Sequence, residues 1–155
     1  MLLHNTLEHL HALRLRGMAA ALEEQLISSA VTDLSFEDRI GFLVEREVTW
    51  RDNHRLQRLL RDAKLREDAS VEDINFRAAR GLDRSVLMRL ATCEWIRQHQ
   101  VVLVVGPTGV GKTYLACALG QAACRRGFST RYYRIGRLLA ELALARADGS
   151  YAKLL

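Results

Sequence analysis

Eight consecutive positions, Gly106, Pro107, Thr108, Gly109, Val110, Gly111, Lys112 and Thr113, match the phosphate-loop pattern G-x-x-x-x-G-K-[ST] in full. The chemistry explains the composition. Backbone N–H groups that curl around a triphosphate need residues tolerant of unusual φ and of close approach, and Gly106, Gly109 and Gly111 provide them. Lys112 supplies a mobile point charge for the β- and γ-phosphates, and Thr113 offers a hydroxyl to Mg²⁺. The helix that should begin there points its positive end at the same anion. ATP with Mg²⁺ is therefore the ligand these eight residues predict. The alternative is a glycine-rich turn with no ligand, but a chance match to all four fixed positions runs at roughly a percent or less.

A second set of residues suits phosphate of another kind. Between Trp50 and Arg66 six basic residues stand against Asp52 and Asp62. Leu56, Leu59, Leu60 and Ala63 form one helical stripe, with Arg51, Arg55, Arg58 and Arg61 on the other side. Such a row could track double-stranded DNA through guanidinium–phosphate contacts, and it could equally be a solvated helix face. The other reactive side chains read as structural. Cys93, Cys117 and Cys124 lack paired close spacing and are expected to be buried free thiols. The five histidines show no metal-ligand spacing. No catalytic residue can be assigned: Glu141 and Asp148, the only carboxylates after Lys112, fall on a predicted helix and its end.

The elements that must hold the loop follow from periodicity. Val101–Val105 reads as a strand buried on both faces, Tyr114–Arg126 as a helix closed by Gly127, and Thr130–Ile135 as a second strand. Strand, helix, strand predicts a right-handed βαβ crossover, followed by a helix from about Gly136 to Ala147. The fold class expected is α/β, an all-helical leading domain at 1–80 followed by an incomplete parallel-sheet nucleotide-binding domain at 81–155. The boundary should lie between about Phe76 and Asp83. In the leading part Asn5 with Glu8 reads as a cap pair, Gly17 as a helix break, and Ser35 with Asp38 as a capping box. Phe36, Ile40, Leu43 and Val44 stand at core spacing, and the absence of Pro or Gly from Phe42 to Leu65 predicts one long helix or two joined near Thr49. Asp83 should cap a helix through His99 in which Trp95 is a core anchor.

Of the chain's 155 residues, 49% are hydrophobic, yet the longest apolar run is five residues, too short for a membrane span. With no leader pattern at Met1, a cytoplasmic protein is expected. The net charge of +5 is uneven: residues 1–100 carry 15 Lys+Arg against 16 Asp+Glu, residues 101–155 carry 8 against 2. A basic, arginine-rich chain suits a phosphate-bearing partner.

Taken together, these stretches resemble IstB-like proteins, ATP-binding helpers of insertion-sequence transposition that are similar to DnaC-type helicase loaders in the AAA+ group. The resemblance rests on L-R-L-R-G-M-A-A-A-L at Leu13–Leu22, S-F-E-D-R-I at Ser35–Ile40, R-L-Q-R-L-L-R-D-A-K-L at Arg55–Leu65 and A-A-R-G-L-D at Ala78–Asp83. It continues through G-P-T-G-V-G-K-T-Y-L-A-C-A-L-G at Gly106–Gly120 and A-D-G-S-Y at Ala147–Tyr151. It implies an AAA+ ATPase module behind a helical domain, a homo-oligomer on DNA, and a transposase partner. A replicative helicase is the alternative partner, and a non-catalytic remnant that binds only DNA or a protein is the other reading. Family members carry a Mg²⁺-binding acidic strand, sensor residues and an arginine finger further along, which this chain lacks. The sequence therefore reads as truncated, with no phosphate release above background expected and with its trailing half less protected than its leading helices.

Overall fold

The computed structural model describes residues 2–28, 34–76 and 81–154. They form two compact units, Met1–Arg58 and Leu59–Leu155. The boundary expected between about Phe76 and Asp83 spans 77–80, which lie outside the described residues.

The first unit holds α1 (Leu2–Ala12), α2 (Arg16–Ile27) and most of α3 (Phe36–Ala63). Helix α1 begins at Leu2, so Asn5 is interior and the expected cap pair does not act as one. The break before α2 is made by Arg14, at φ 60, rather than by Gly17. Gly17 lies in the first turn of α2 and serves packing instead. A Cβ there would meet the Arg46 carbonyl at 2.6 Å, Glu47 Cα at 2.7 Å and Trp50 Cβ at 2.9 Å. With Ala19 and Ala21 buried behind it, the small residues let α2 approach the backbone of α3.

Ser35 caps α3 as its spacing predicts: its Oγ accepts from the Asp38 N–H at 3.1 Å and donates to Asp38 Oδ2 at 2.7 Å. The helix then runs 28 residues as one element through Thr49. Its buried face differs from expectation. Leu43 is buried, whereas Phe36, Ile40 and Val44 are exposed, because the seam with α2 follows Leu43, Glu47 and Trp50. That row is also helically spaced, so periodicity alone could not choose between them.

In the second unit Ala69, Val71, Leu87, Cys117, Ala118 and Leu119 make the core. Asp83 caps α4 (Arg84–Ala91), accepting from the Ser85 N–H at 2.7 Å. The helix expected to reach His99 is interrupted at Cys93, which sits at φ 59, and resumes briefly as α5 (Glu94–Arg97). Trp95 is half-buried and donates from Nε1 to the Leu90 carbonyl, bracing that corner. Helix α6 (Lys112–Arg125) ends at Gly127, whose φ of 83 lets the Gly127 and Phe128 N–H groups close onto Cys124 and Ala123. Helices α7 (Ile135–Ala147) and α8 (Tyr151–Leu154) complete the unit. All three cysteines are free and buried.

The expected α/β class is not what forms: every regular element among the described residues is a helix. Val101–Val105 has no ladder, and Val101, Leu103 and Val105 are 82%, 84% and 91% exposed. A strand exists only by pairing, and no second strand lies beside this one among the described residues. Thr130–Ile135 finds another partner. The Tyr132 N–H donates to the Ala63 carbonyl at 2.8 Å, satisfying an orphan acceptor at the end of α3, and Ile135 already opens α7. The parallel sheet and its βαβ crossover are thus replaced, among the described residues, by helices joined by segments without regular structure. No helix among the described residues is long and apolar enough to cross a membrane.

Candidate functional site

The loop 106–113 takes its shape from its glycines and from α6. Gly109 and Gly111 lie at φ 86 and φ 92, left-handed conformations that L side chains rarely adopt. Gly111 is the N-cap of α6 and carries no side chain to satisfy the first-turn N–H groups. No acidic residue stands in that turn, so the positive end of the helix is uncompensated. Burial of Cys117, Ala118 and Leu119 anchors α6 in the core and fixes where Lys112 starts. The Lys112 ammonium turns back over the loop and donates to the Gly106 carbonyl at 2.8 Å and the Pro107 carbonyl at 2.6 Å. Thr113 is half-buried one residue on.

Beside the loop lies a cavity of about 160 Å³, walled by Ile74, Leu82, Val105, Val110 and Tyr114 with Lys112 at its edge. Charge and donors thus stand next to an apolar recess, the combination a nucleotide's phosphates and base require.

The α3 arginines are placed less simply. Arg51, Arg55, Arg58 and Arg61 are all exposed, as a phosphate-contacting row must be. Arg51 is already engaged, its Nε donating to Glu47 Oε1 at 2.7 Å, while Arg61 stands 3.7 Å from Asp62. Glu47 is buried and its second carboxylate oxygen accepts from the Met18 N–H at 3.1 Å. Burial pushes the Glu47 carboxyl up, but the Arg51 hydrogen bond, the Met18 and Gly17 N–H groups and the Arg51 charge together hold it below its ordinary value. Of the late carboxylates, Glu141 pairs with Arg137 at 3.0 Å and Asp148 accepts from the Ser150 N–H and hydroxyl.

A phosphate loop at the head of a helix, behind a helical unit, is the pattern on which comparison with known proteins decides the family. The profile of the IstB-like ATP binding proteins matches residues 8–155. The chain belongs to this family. Similar proteins include one of Pseudomonas fluorescens, named as an ATP-binding protein of insertion sequence IS1162, with 50% identity over all of this chain and 68% of the relative. One from Sinorhizobium fredii, named as the insertion sequence ATP-binding protein y4pL, is 47% identical over 99% of this chain and 63% of its own. A third, from Mycobacterium tuberculosis, is named as an insertion-sequence ATP-binding protein and is 36% identical over 93% and 57%. The chain therefore spans about two thirds or less of the length of these relatives.

In this IstB-like chain the loop residues were legible in the sequence as a motif, while the recess beside them was not. Ile74 and Leu82 come from a segment some thirty residues upstream in the sequence, and no local pattern marks them as walls of a site. Tyr114 had a signal, its place two residues after Lys112 on the same helix. Glu47, which claims one of the four arginines, could have been read from its i, i+4 spacing to Arg51.

Proposed function

We propose that this IstB-like chain binds ATP with Mg²⁺ at Gly106–Thr113 and acts in the cytoplasm as a nucleotide-binding helper of DNA transposition. In this reading it contacts double-stranded DNA through the α3 arginines, self-associates, and works with a transposase. The observation that carries the nucleotide half is the loop itself: two left-handed glycines deliver Lys112 to the head of an uncapped helix. The names of the relatives, ATP-binding proteins of insertion sequences, support the same ligand and setting.

Each part has a task set by its chemistry. The Lys112 ammonium exchanges two neutral carbonyl partners for anionic phosphate oxygens, a stronger charge-assisted bond. The first-turn N–H groups of α6 bind the phosphates without carrying a net charge. The apolar recess shelters the base. The Thr113 hydroxyl is this chain's own ligand for Mg²⁺, which when bound neutralises part of the phosphate charge.

Lys112→Ala is expected to lose most of its affinity for Mg·ATP in a fluorescent-nucleotide titration while helical circular dichroism stays unchanged. An unaltered titration would refute the nucleotide assignment. For the DNA half, Arg55→Glu with Arg58→Glu should weaken duplex binding and flatten its log–log salt dependence by roughly one unit per lost phosphate contact. Equal slopes for variant and parent would leave that helix face merely solvated.

A further inference from the structure

A concentration of positive charge among the described residues of the second unit lies away from the phosphate loop. A cavity of about 330 Å³ is lined by Lys64, Arg66, Arg131, Arg134 and Arg137 together with Tyr132, Tyr133 and Glu141. It shares no lining residue with the recess beside Lys112. Five cations face one carboxylate, and that carboxylate is already paired with Arg137. Lys64, Arg66 and Arg134 form no ion pair among the described residues. The assembly is held by backbone: the Tyr132 N–H bonds the Ala63 carbonyl, which brings the 131–134 segment against the end of α3, where Lys64 and Arg66 follow. The Arg131 guanidinium rests over the Tyr133 ring at 5.9 Å.

We propose that this cavity is a second anion site that holds adjacent phosphates of a nucleic-acid strand. Like charges gathered without counter-charges repel, and a polyanion relieves that repulsion as it releases its own counterions. Four of the five cations are arginines, whose forked donors match phosphate oxygens. The half-buried Tyr132 packs against the core and Tyr133 lies under the Arg131 guanidinium, so both rings hold the wall of the cavity in place. The cations come from two stretches of chain, 64–66 and 131–137, and line one cavity, where adjacent phosphates would meet several of them at once. This assignment does not rest on the reading of the α3 arginines.

The test uses the full chain and a fluorescein-labelled twenty-nucleotide probe, single-stranded and as a duplex, followed by anisotropy across a salt series. Arg66→Glu with Arg134→Glu changes two exposed side chains without ion partners, and circular dichroism checks the fold; Arg66→Gln with Arg134→Gln is the milder substitute. Affinity for at least one probe should fall roughly tenfold or more, and the log–log salt slope should shrink by about two, one per lost contact. Mg·ATP affinity should not change. Unchanged affinity and slope for both probes would overturn the site. So would displacement of the probe by inorganic tripolyphosphate as effective, per phosphate, as by unlabelled strand, which would make it a free-polyphosphate site. A parallel loss of Mg·ATP binding would reassign the cavity to the nucleotide. If the Arg55 and Arg58 variant alone binds normally, the α3 reading fails while this one stands.

Discussion

Lys112 bridges two loop carbonyls, and this tether gives the ammonium a defined position before any anion arrives. The task proposed for Thr113, holding Mg²⁺, is a different one, so its removal should have a different signature. Thr113→Ala should bind ATP nearly as well as the parent in the absence of Mg²⁺ and gain little when Mg²⁺ is added; an undiminished Mg²⁺ response in nucleotide titrations would remove it from the site. Glu47 is buried in the α2–α3 seam, where its charge meets the Met18 N–H and Arg51. Its folded value lies below the ordinary 4.5, so its charged form stabilises the fold at pH above that value, and the contribution is lost as pH falls through the depressed one. Glu47→Gln should therefore be less stable than the parent at pH 7 in urea unfolding, with the gap closing as pH falls below the ordinary carboxylate value. A gap independent of pH would show that the carboxylate's charge is not what the Met18 N–H and Arg51 require.

The helices differ in what holds them. The α2–α3 seam is built from Gly17, Ala19, Ala21 and Gln25 against Leu43 and Glu47, so it depends on closeness more than on apolar area. Gln25 fits this polar seam, its Nε2 donating to the Arg39 carbonyl at 3.1 Å and its Oε1 accepting from Arg39 Nε at 3.3 Å. Gly17→Ala should cost about 1–3 kcal/mol, because its Cβ would meet α3 backbone rather than a side chain that can swing away. Thermal unfolding measures this, and an unshifted midpoint would mean that the helices can separate at no cost. Helix α6 is held instead by burial of Cys117, Ala118, Leu119 and Cys124. Its core face thus steadies the same helix whose first residue is Lys112.

Across the chain, order is distributed unevenly. Val101–Val105 carries apolar side chains in the open and has no backbone ladder, while α6 a few residues later packs in the core. Amide exchange should follow that contrast: fast at Val101–Val105 and slow at Cys117–Cys124. Segment-resolved hydrogen exchange showing equal protection in both would mean that the Val101–Val105 amides are bonded in solution. The expectation of a less protected trailing half thereby becomes specific: Val101–Val105 should exchange fast, and α6 close by should not.

What could be read from residues alone was local. Glycines at 109 and 111, the caps at Ser35 and Asp83, the stop at Gly127 and the buried thiols each depend on a few neighbouring atoms, and the structure places them as their chemistry predicts. The family, too, was legible, since its motifs run nearly end to end. Distant partners decided the rest. Val101–Val105 is β-prone by composition, but a ladder is a property of two segments, and no second strand is supplied among the described residues. Gly17 reads equally well as a break or as a close contact until α3 is placed against it. The recess beside Lys112 and the cationic cavity at Arg66 and Arg134 are gathered from stretches tens of residues apart. Spacing along a chain constrains which side chains share a helix face; only packing brings side chains from separate segments into one site.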